Sequence, residues 1–307
     1  YAKYLTNGKH PLVARVLVNR FWLHLFGRGL VGTPGEFGTM GEKPSHPELL
    51  DWLADEFVQG GWKLKRLQRM IVLSSAYRQS SARRDDLEQL DAENRLIGRQ
   101  AVRRLEAEII RDSVLTASGK LNTALYGEPI PITPDDVGQV VVGVDTRDGA
   151  GRPTGKVVAL NGNEYRRSIY ITVKRTMPLG MLEPFDAPMM APNCEFRNSS
   201  TVTPQSLLMM NSDFVVEQAK LMAERVKSEA GEDTAKQFER AWQLAFARKP
   251  TADEVTQGSA FLNEQEAEVI KVPGADGKPI EPAVSKQTAL AHLCQALLSS
   301  NGFLYVD

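Results

Sequence analysis

Two adjacent stretches of sequence decide the kind of fold. They are Pro11-Leu-Val-Ala-Arg-Val-Leu-Val-Asn-Arg-Phe-Trp-Leu-His-Leu-Phe26 and, directly after it, Gly27-Arg-Gly-Leu-Val-Gly32. Proline suits the first position of a helix, and Gly27 and Gly29 follow the last apolar residue, so a long helix is predicted over residues 11–26. Six glycines between 27 and 41 predict a loop with unusual backbone angles. The loop matches neither a dinucleotide-binding pattern nor a P-loop, so it gives only weak support to a nucleotide site.

Patterns further along the chain predict more helices. Ser45 with Glu48, and Thr251 with Glu254, have the spacing of capping boxes at helix starts. The predicted helices cover residues 45–59, 64–77, 95–118, 203–210, 213–229, 235–247, 251–269 and 285–299. Apolar, β-branched runs predict strands at 140–142, 156–160 and 168–173. Residues 177–203 are predicted to be irregular.

The fold class predicted from these patterns is mainly α, a multi-helix domain with a small antiparallel β meander inserted near the middle. The predicted organisation is a helical N-terminal half with the glycine-rich loop (1–125), a β meander insertion (126–176) and a helical C-terminal half (177–307). One continuous domain is the alternative, because 307 residues fit one large domain or two small ones.

Composition excludes several functional classes. The chain has 37 Lys and Arg against 38 Asp and Glu, a net charge of −1, so no nucleic-acid partner is predicted. Its apolar runs are only a few residues long, so no membrane span is predicted. Its four histidines form no metal-binding spacing, so no metal site and no cofactor is predicted in this chain. Cys194 and Cys294 are interpreted as free thiols, with a single disulfide as the alternative.

Two predicted helices carry polar residues on apolar faces. Arg15 and Asn19 share a stripe with Trp22 on the first helix, and such groups need partners if they are buried. Asp112 lies in line with Ile109 on the helix over 95–118. Glu108 flanks this stripe. The expected core network joins Arg15, Asn19, Asp112 and Arg197, with Asp186 as a further candidate. It is either an active-site carboxylate with an arginine anion clamp or a structural polar network.

Charged residues near the second helix raise further hypotheses. His46 could act as a base or acid, although a histidine at a helix N-terminus needs no catalytic role. Residues 62–84 hold seven Lys and Arg, including Arg78, and no acid, whereas residues 36–56 hold six acids and one lysine. The run is interpreted as one of two helices with complementary faces, and a polyanion site is the alternative.

Long motifs across the chain resemble a known family. They lie at residues 10–16, 18–22, 26–31, 33–38, 46–54, 61–80, 103–112, 118–119, 167–175, 185–186, 194–197, 201–212 and 293–307. They resemble a planctomycete domain of unknown function found C-terminal in large exported proteins that often carry c-type cytochrome domains. Two departures are Thr6-Asn7-Gly8-Lys9, where an Asn-Pro pair is usual in that family, and residues 133–163, which are longer than its usual linker.

The resemblance implies a location and a context but no activity. It implies that the chain is extracytoplasmic, in the periplasm or cell envelope. It also implies that the chain rests against a preceding domain of the same polypeptide and that haem c, if the protein carries it, sits in a separate domain. The first functional hypothesis is therefore a non-catalytic structural or interaction domain of such a multidomain protein.

The second functional hypothesis is a hydrolase-type domain that acts on anionic polysaccharide. Its acid or base would be Asp112, Glu108 or His46. The ligand-binding candidates are Arg15, Asn19, Arg78 and Arg197, with the arginines holding the anion. A closed, fully paired network would favour the first hypothesis, and a concave, water-filled site would favour the second.

Overall fold

A computed structural model describes residues 1–188, 194, 196–273 and 280–306 of the chain. The described residues contain twelve α-helices and only short, two-stranded β-sheets. The predicted fold class, mainly α with small β elements, is confirmed. Contacts divide the chain into two compact units, Tyr1–Arg103 (unit 1) and Arg104–Val306 (unit 2).

Unit 1 is built on the predicted first helix and the two that follow. Its helices are α1 (Ala2–Thr6), α2 (Val13–Phe26), α3 (Pro47–Gln59), α4 (Leu64–Val72) and α5 (Asp85–Leu90). The core lies where α2 meets α3, and it buries side chains such as Val18, Leu53 and Phe57. The apolar residues recur every three or four positions, so each helix turns one stripe inward.

The start of α3 differs from the prediction. The expected capping box of Ser45 and Glu48 is wrong, because the residue before the first turn is His46 and its side chain caps nothing. Ser45 instead binds the carbonyl oxygen of Leu30, through its backbone nitrogen at 2.8 Å and its hydroxyl at 3.3 Å. Pro47 occupies the first helical position, where its missing N–H costs nothing. Ser45 therefore closes the glycine-rich loop rather than opening the helix.

Unit 2 contains the remaining elements. Its helices are α6 (Ala107–Ser118), α7 (Thr203–Asn211), α8 (Asp213–Ala230), α9 (Thr234–Phe246), α10 (Ala252–Lys271), α11 (Pro282–Leu298) and α12 (Asn301–Leu304). Its strands are β2 (Ile132–Pro134), β3 (Val140–Val142), β4 (Val144–Arg147), β5 (Pro153–Val158) and β6 (Tyr305–Val306), while the two-residue β1 (Arg103–Arg104) lies at the division between the units. Helices α8 and α11 form its centre, and both α6 and α9 pack on α8.

Two of the three predicted meander strands are present. β2 pairs antiparallel with β3, in the register Ile132↔Val142, and β4 pairs antiparallel with β5, in the register Val144↔Val158. The third predicted strand, over 168–173, is reduced to a single bridge: Ser168–Tyr170 is a 3-10 helix, and Ile171 makes an isolated parallel bridge with Ile130. Its β-branched side chains follow the strand pattern, but hydrogen bonds to α6 hold this segment, as described below.

Two predicted boundaries also differ. The helix predicted over 95–118 begins at Ala107, because the chain before it is extended and the Leu105 nitrogen donates to the carbonyl oxygen of Leu304. Helix α6 turns Ile110 and Val114 into the core of unit 2. The predicted N-terminal half, 1–125, is thus divided between the two units. Part of the region predicted as irregular, residues 189–193 and 195, lies outside the described residues.

Candidate functional site

Asp112 holds the 3-10 helix that follows the β insertion. One carboxylate oxygen, Oδ1, accepts hydrogen bonds from both the backbone nitrogen and the hydroxyl of Ser168, each at 2.7 Å. The other oxygen lies 3.7 Å from Nε of Arg167. Ser168 is only 5 % exposed. The carboxylate of Asp112 therefore caps the 3-10 helix. Because Ser168 is buried, a substrate in solution does not contact its hydroxyl.

Arg111, beside Asp112, is the buried charge of this region, with a side chain only 2 % exposed. Its guanidinium donates to the carbonyl oxygens of Arg166 (3.0 Å) and Glu164 (2.6 Å) and to the Ser168 hydroxyl (3.2 Å). Burial lowers the pKa of Arg111 to about 10, which Asp112 at 3.8 Å partly offsets. Arg111 was not among the predicted site residues.

Glu108 and Arg197 form a two-point ion pair. Both carboxylate oxygens of Glu108 accept from the guanidinium, at 2.7 and 3.0 Å, and Glu106 lies 3.4 Å from the same group. The hydrogen bond to Glu108 raises the pKa of Arg197, and burial opposes that rise. The pair anchors the segment around Arg197 to the first turn of α6.

A second buried arginine, Arg104, joins Asp186 and Ser200. Arg104 is 4 % exposed and donates to the Asp186 carboxylate (2.7 Å) and to the carbonyl oxygen of Ser200 (2.7 Å). Burial alone would raise the pKa of Asp186, but the hydrogen bonds from Ser200 and Arg104 outweigh it, so this pKa is lowered. Asp186 also has a left-handed backbone (φ 57°), which is uncommon outside glycine.

The predicted residues of unit 1 have local partners of their own. Arg15 pairs with Asp51 of α3 at 2.6 Å, and this hydrogen bond raises the pKa of Arg15 and lowers that of Asp51. Asn19 is fully buried: its amide nitrogen donates to the carbonyl oxygen of Val31 (3.0 Å), and its amide oxygen accepts from the Val31 nitrogen (2.9 Å). The Asn19 side chain therefore makes one donated and one accepted hydrogen bond to the backbone of the glycine-rich loop, as the backbone of a neighbouring strand would.

The other two candidates lie apart from these pairs. The imidazole Nδ1 of His46 lies 3.0 Å from the hydroxyl of Ser45. Arg78 is exposed after α4, with its backbone nitrogen bonded to the carbonyl oxygen of Ser74. The predicted complementarity of α3 and α4 is seen at Arg66 and Glu56, which lie 2.6 Å apart.

The predicted single network of Arg15, Asn19, Asp112, Arg197 and Asp186 is wrong. Each of these residues has a separate partner: those of Arg15 and Arg197 lie on helices, and those of Asn19, Asp112 and Asp186 include residues outside the α-helices. The helical phase assumed for α6 was also wrong. Ile109 is 46 % exposed and Asp112 only partly buried, whereas Ile110, Arg111 and Val114 face inward.

A cleft in unit 1, which the sequence did not predict, lies beside the glycine-rich loop. It is shallow: its volume is about 40 Å³, and the space in front of it is open solvent. Trp22 and Phe26, stacked at 4.1 Å, form its apolar wall. Arg28 contributes its charged rim and lies 3.2 Å from carboxylate oxygens of both Glu42 and Glu93. The glycine spacing was the available signal, since it allows close approach of the backbone.

The cysteines are both free thiols, as interpreted from the sequence. Burial raises the pKa of Cys294 to about 12, so its thiol is protonated and unreactive at neutral pH. Over the described ranges, no three His, Cys, Asp or Glu side chains gather where they could hold a metal ion. None of the helices in the described part of the chain is long and apolar enough to cross a membrane.

The fold and these contacts define a mainly helical protein in which buried polar side chains tie irregular segments to helices. The chain belongs to the PSD1 family of proteins of unknown function (DUF1553), whose sequence profile matches residues 1–262. That match includes the glycine-rich loop, α6 and the residues from Asp186 to Gln205. No curated protein matches the chain. No solved structure matches it either.

Proposed function

We propose that this chain is a non-catalytic interaction domain. The observation that carries the proposal is that the two candidate carboxylates of a hydrolase are already bonded within the protein. Both oxygens of Glu108 are committed to Arg197, and Oδ1 of Asp112 is committed to Ser168. In the part of the chain that the structure describes, these two carboxylates are therefore held by internal partners, which favours a structural role over a catalytic one.

The hydrolase alternative has less support for two physical reasons. A glycosidase needs two carboxyl groups facing a substrate-filled space, one as acid and one as base or nucleophile. An arginine that makes a two-point pair with a carboxylate must also break that pair before it can hold a substrate anion. Arg197 makes such a pair with Glu108, and Arg15 makes a direct pair with Asp51.

The family resemblance supports a wider context for the same proposal. In that context the chain is part of an exported planctomycete protein and works outside the cytoplasm. Its partner is the preceding domain of the same polypeptide, and haem c, where present, belongs to a separate cytochrome domain. An envelope polysaccharide is a second ligand compatible with this location.

The proposal is tested by a turnover assay on sulfated and uronate polysaccharides, with release of reducing ends as the readout. The wild-type chain, Asp112→Asn and Glu108→Gln are expected to give the same background rate. Turnover by the wild type that either substitution abolishes, in a variant that still gives the native circular dichroism spectrum, would overturn the proposal. Calorimetric titration with the separately expressed preceding domain tests the positive side, and saturable binding is expected.

A further inference from the structure

We propose that the solvent-facing side of α4 in unit 1 binds an anionic polysaccharide, whose sulfate or carboxylate groups pair with lysine and arginine side chains. The inference rests on the proposed interaction role and deepens it by naming a ligand. It starts from the segment Lys63-Leu-Lys-Arg-Leu-Gln-Arg69, in which four of seven residues are cationic. Short segments with this density of Lys and Arg are typical of polyanion-binding surfaces.

The cations of α4 lie on the side of the helix that faces solvent. Leu67 and Ile71 are 2 % and 3 % exposed and mark the buried side. At about 100° per residue, Lys65 and Arg69 lie on the opposite side, and both are exposed. They are one turn apart, so a single extended chain can contact both. Lys63, the exposed residue directly before the helix, adds a third cation at its N-terminal end.

These three cations differ from others in the same run because they have no carboxylate partner. Arg66 lies 2.6 Å from Glu56 of α3. Arg84 lies 3.0 Å from Asp86. In the part of the chain that the structure describes, none of the three side chains makes an ion pair or a hydrogen bond. The predicted complementarity of α3 and α4 therefore accounts for only part of the run, and the remaining charge is available to a ligand.

The position of these cations opposes the stability of α4. Lys63, Lys65 and Arg66 lie at its N-terminal end, and its first turn contains no acid. The helix dipole makes that end positive, so cations are unfavourable there and acids are favourable. The arrangement lowers helix stability but strengthens the positive potential that an anion meets. Local choices that cost stability are expected at functional sites.

The other side chains of the run favour a polysaccharide over a nucleic acid, a membrane or a protein. Trp62 packs edge-on against Phe57 (5.3 Å) and Tyr77 against Phe26 (5.5 Å), so both rings are engaged within unit 1 and neither is free to stack on a base. Among the described residues 62–84, Leu73 is the one large apolar side chain that is exposed. One such side chain is too little to insert into a membrane or to anchor a protein partner. Charge remains, and a linear polyanion binds through charge by releasing counterions.

The test is a fluorescence anisotropy titration of labelled dextran sulfate with the full chain over a salt series, with polygalacturonate as a competing uronate. We expect a dissociation constant on the order of 10⁻⁴ M or tighter at low salt. Each neutralised anionic group contributes about 0.7 to the slope of log affinity against log salt, so three cations predict a slope of about −2. Lys65→Gln combined with Arg69→Gln is expected to weaken binding at least about tenfold and to reduce the steepness of that slope by about 1.

Arg83→Gln combined with Arg84→Gln is the matched control. It removes the same number of charges from the same run, but these two arginines lie beside Glu88 (3.9 Å) and Asp86 (3.0 Å). Its affinity is expected to stay within about threefold of the wild type, because paired surface cations have less charge to offer. All four substituted side chains are exposed, so both variants should fold.

Three results would overturn the proposal. They are no binding of either polysaccharide at low salt, equal affinities of the two double variants, and tighter binding of oligothymidylate, polyglutamate or phosphatidylglycerol vesicles than of either polysaccharide at the same salt. Each of these results leaves the proposed interaction role standing, because that role is read from the reducing-end assay and the titration with the preceding domain. Release of reducing ends would overturn the role without removing the polysaccharide from α4.

Discussion

Replacing Arg111 with alanine is expected to destabilise unit 2 severely. The guanidinium is 2 % exposed and supplies hydrogen bonds to three oxygen atoms on the segment from Glu164 to Ser168. Without it, two buried carbonyl oxygens lose donors, and the partly buried carboxylate of Asp112 loses its nearest buried cation. Removing one partner of a buried charged pair costs about 3–5 kcal/mol, and each orphaned polar group about 1–3 kcal/mol.

The expected loss for Arg111→Ala is therefore at least about 3 kcal/mol, which for a unit of this size lowers the melting temperature by roughly 6–12 °C. Unit 2 contains one tryptophan, Trp242, and unit 1 contains the other three. Fluorine NMR of the chain labelled with 5-fluorotryptophan can therefore follow the unfolding of unit 2 through the Trp242 signal alone.

Arg167→Ala is the matched control, because Arg167 approaches the same carboxylate at 3.7 Å but is 51 % exposed. Its loss is expected to be under about 1 kcal/mol, as for other exposed ion pairs. The reasoning is refuted if Arg111→Ala melts within about 2 °C of Arg167→Ala, since burial and not proximity is the stated cause.

Three further outcomes are expected from substitutions in unit 2. The lowered pKa of Asp186 means that its ionised form contributes stability above the unfolded pKa of about 4, and that this contribution is lost as the pH falls through the lower folded pKa. Urea unfolding over a pH series should accordingly show a steeper acid loss for the wild type than for Asp186→Asn. Thr251→Ala should cost about 1 kcal/mol in a thermal melt, because it removes the cap of α10. Gly258→Ala should cost about 1–3 kcal/mol in the same melt, because the added Cβ would lie 1.9 Å from the Phe238 ring.

The sequence predicted those helices whose ends are marked by local chemistry. The capping box of Thr251 and Glu254 is formed in both directions, with distances of 3.3 and 2.7 Å. Such signals act within one turn, so the sequence alone reveals them. The segment around Ser168 was predicted incorrectly because its conformation depends on Asp112, 56 positions away in the chain. Local propensity contains no information about such a partner.

The candidate site was harder to predict for a related reason. The sequence pattern on α6 predicts Ile109 inward, whereas Ile110 and Val114 are the buried residues. The buried face of α6 contains Arg111. A pattern of apolar residues alone does not identify a helix face as buried when that face contains a charged residue. Of the two polar residues predicted on the apolar face of α2, Asn19 is fully buried and the side chain of Arg15 is 35 % exposed, and the partners of both lie outside that helix.

Two of the buried polar side chains, Asn19 and Arg111, have backbone groups as partners, and this explains why they are buried. Asn19 binds the backbone of Val31, and Arg111 binds backbone oxygens of Glu164 and Arg166. Irregular segments leave backbone N–H and C=O groups without helix or sheet partners, and each buried group must find another partner. A polar side chain on a neighbouring helix can supply the missing hydrogen-bond partners for these backbone groups.

The same requirement separates the residues that hold the fold of this chain from those at its surface. Residues such as Asn19 and Arg111 have both ends of their interactions inside the protein, so their substitution should lower stability before it lowers any binding. Arg28 and Glu42 are different, because their pair is about half exposed and borders a cleft. An exposed pair contributes little to stability. Glu42→Ala is therefore expected to leave the melting temperature nearly unchanged, whereas Asn19→Ala is expected to lower it because it leaves two buried backbone groups of Val31 without partners.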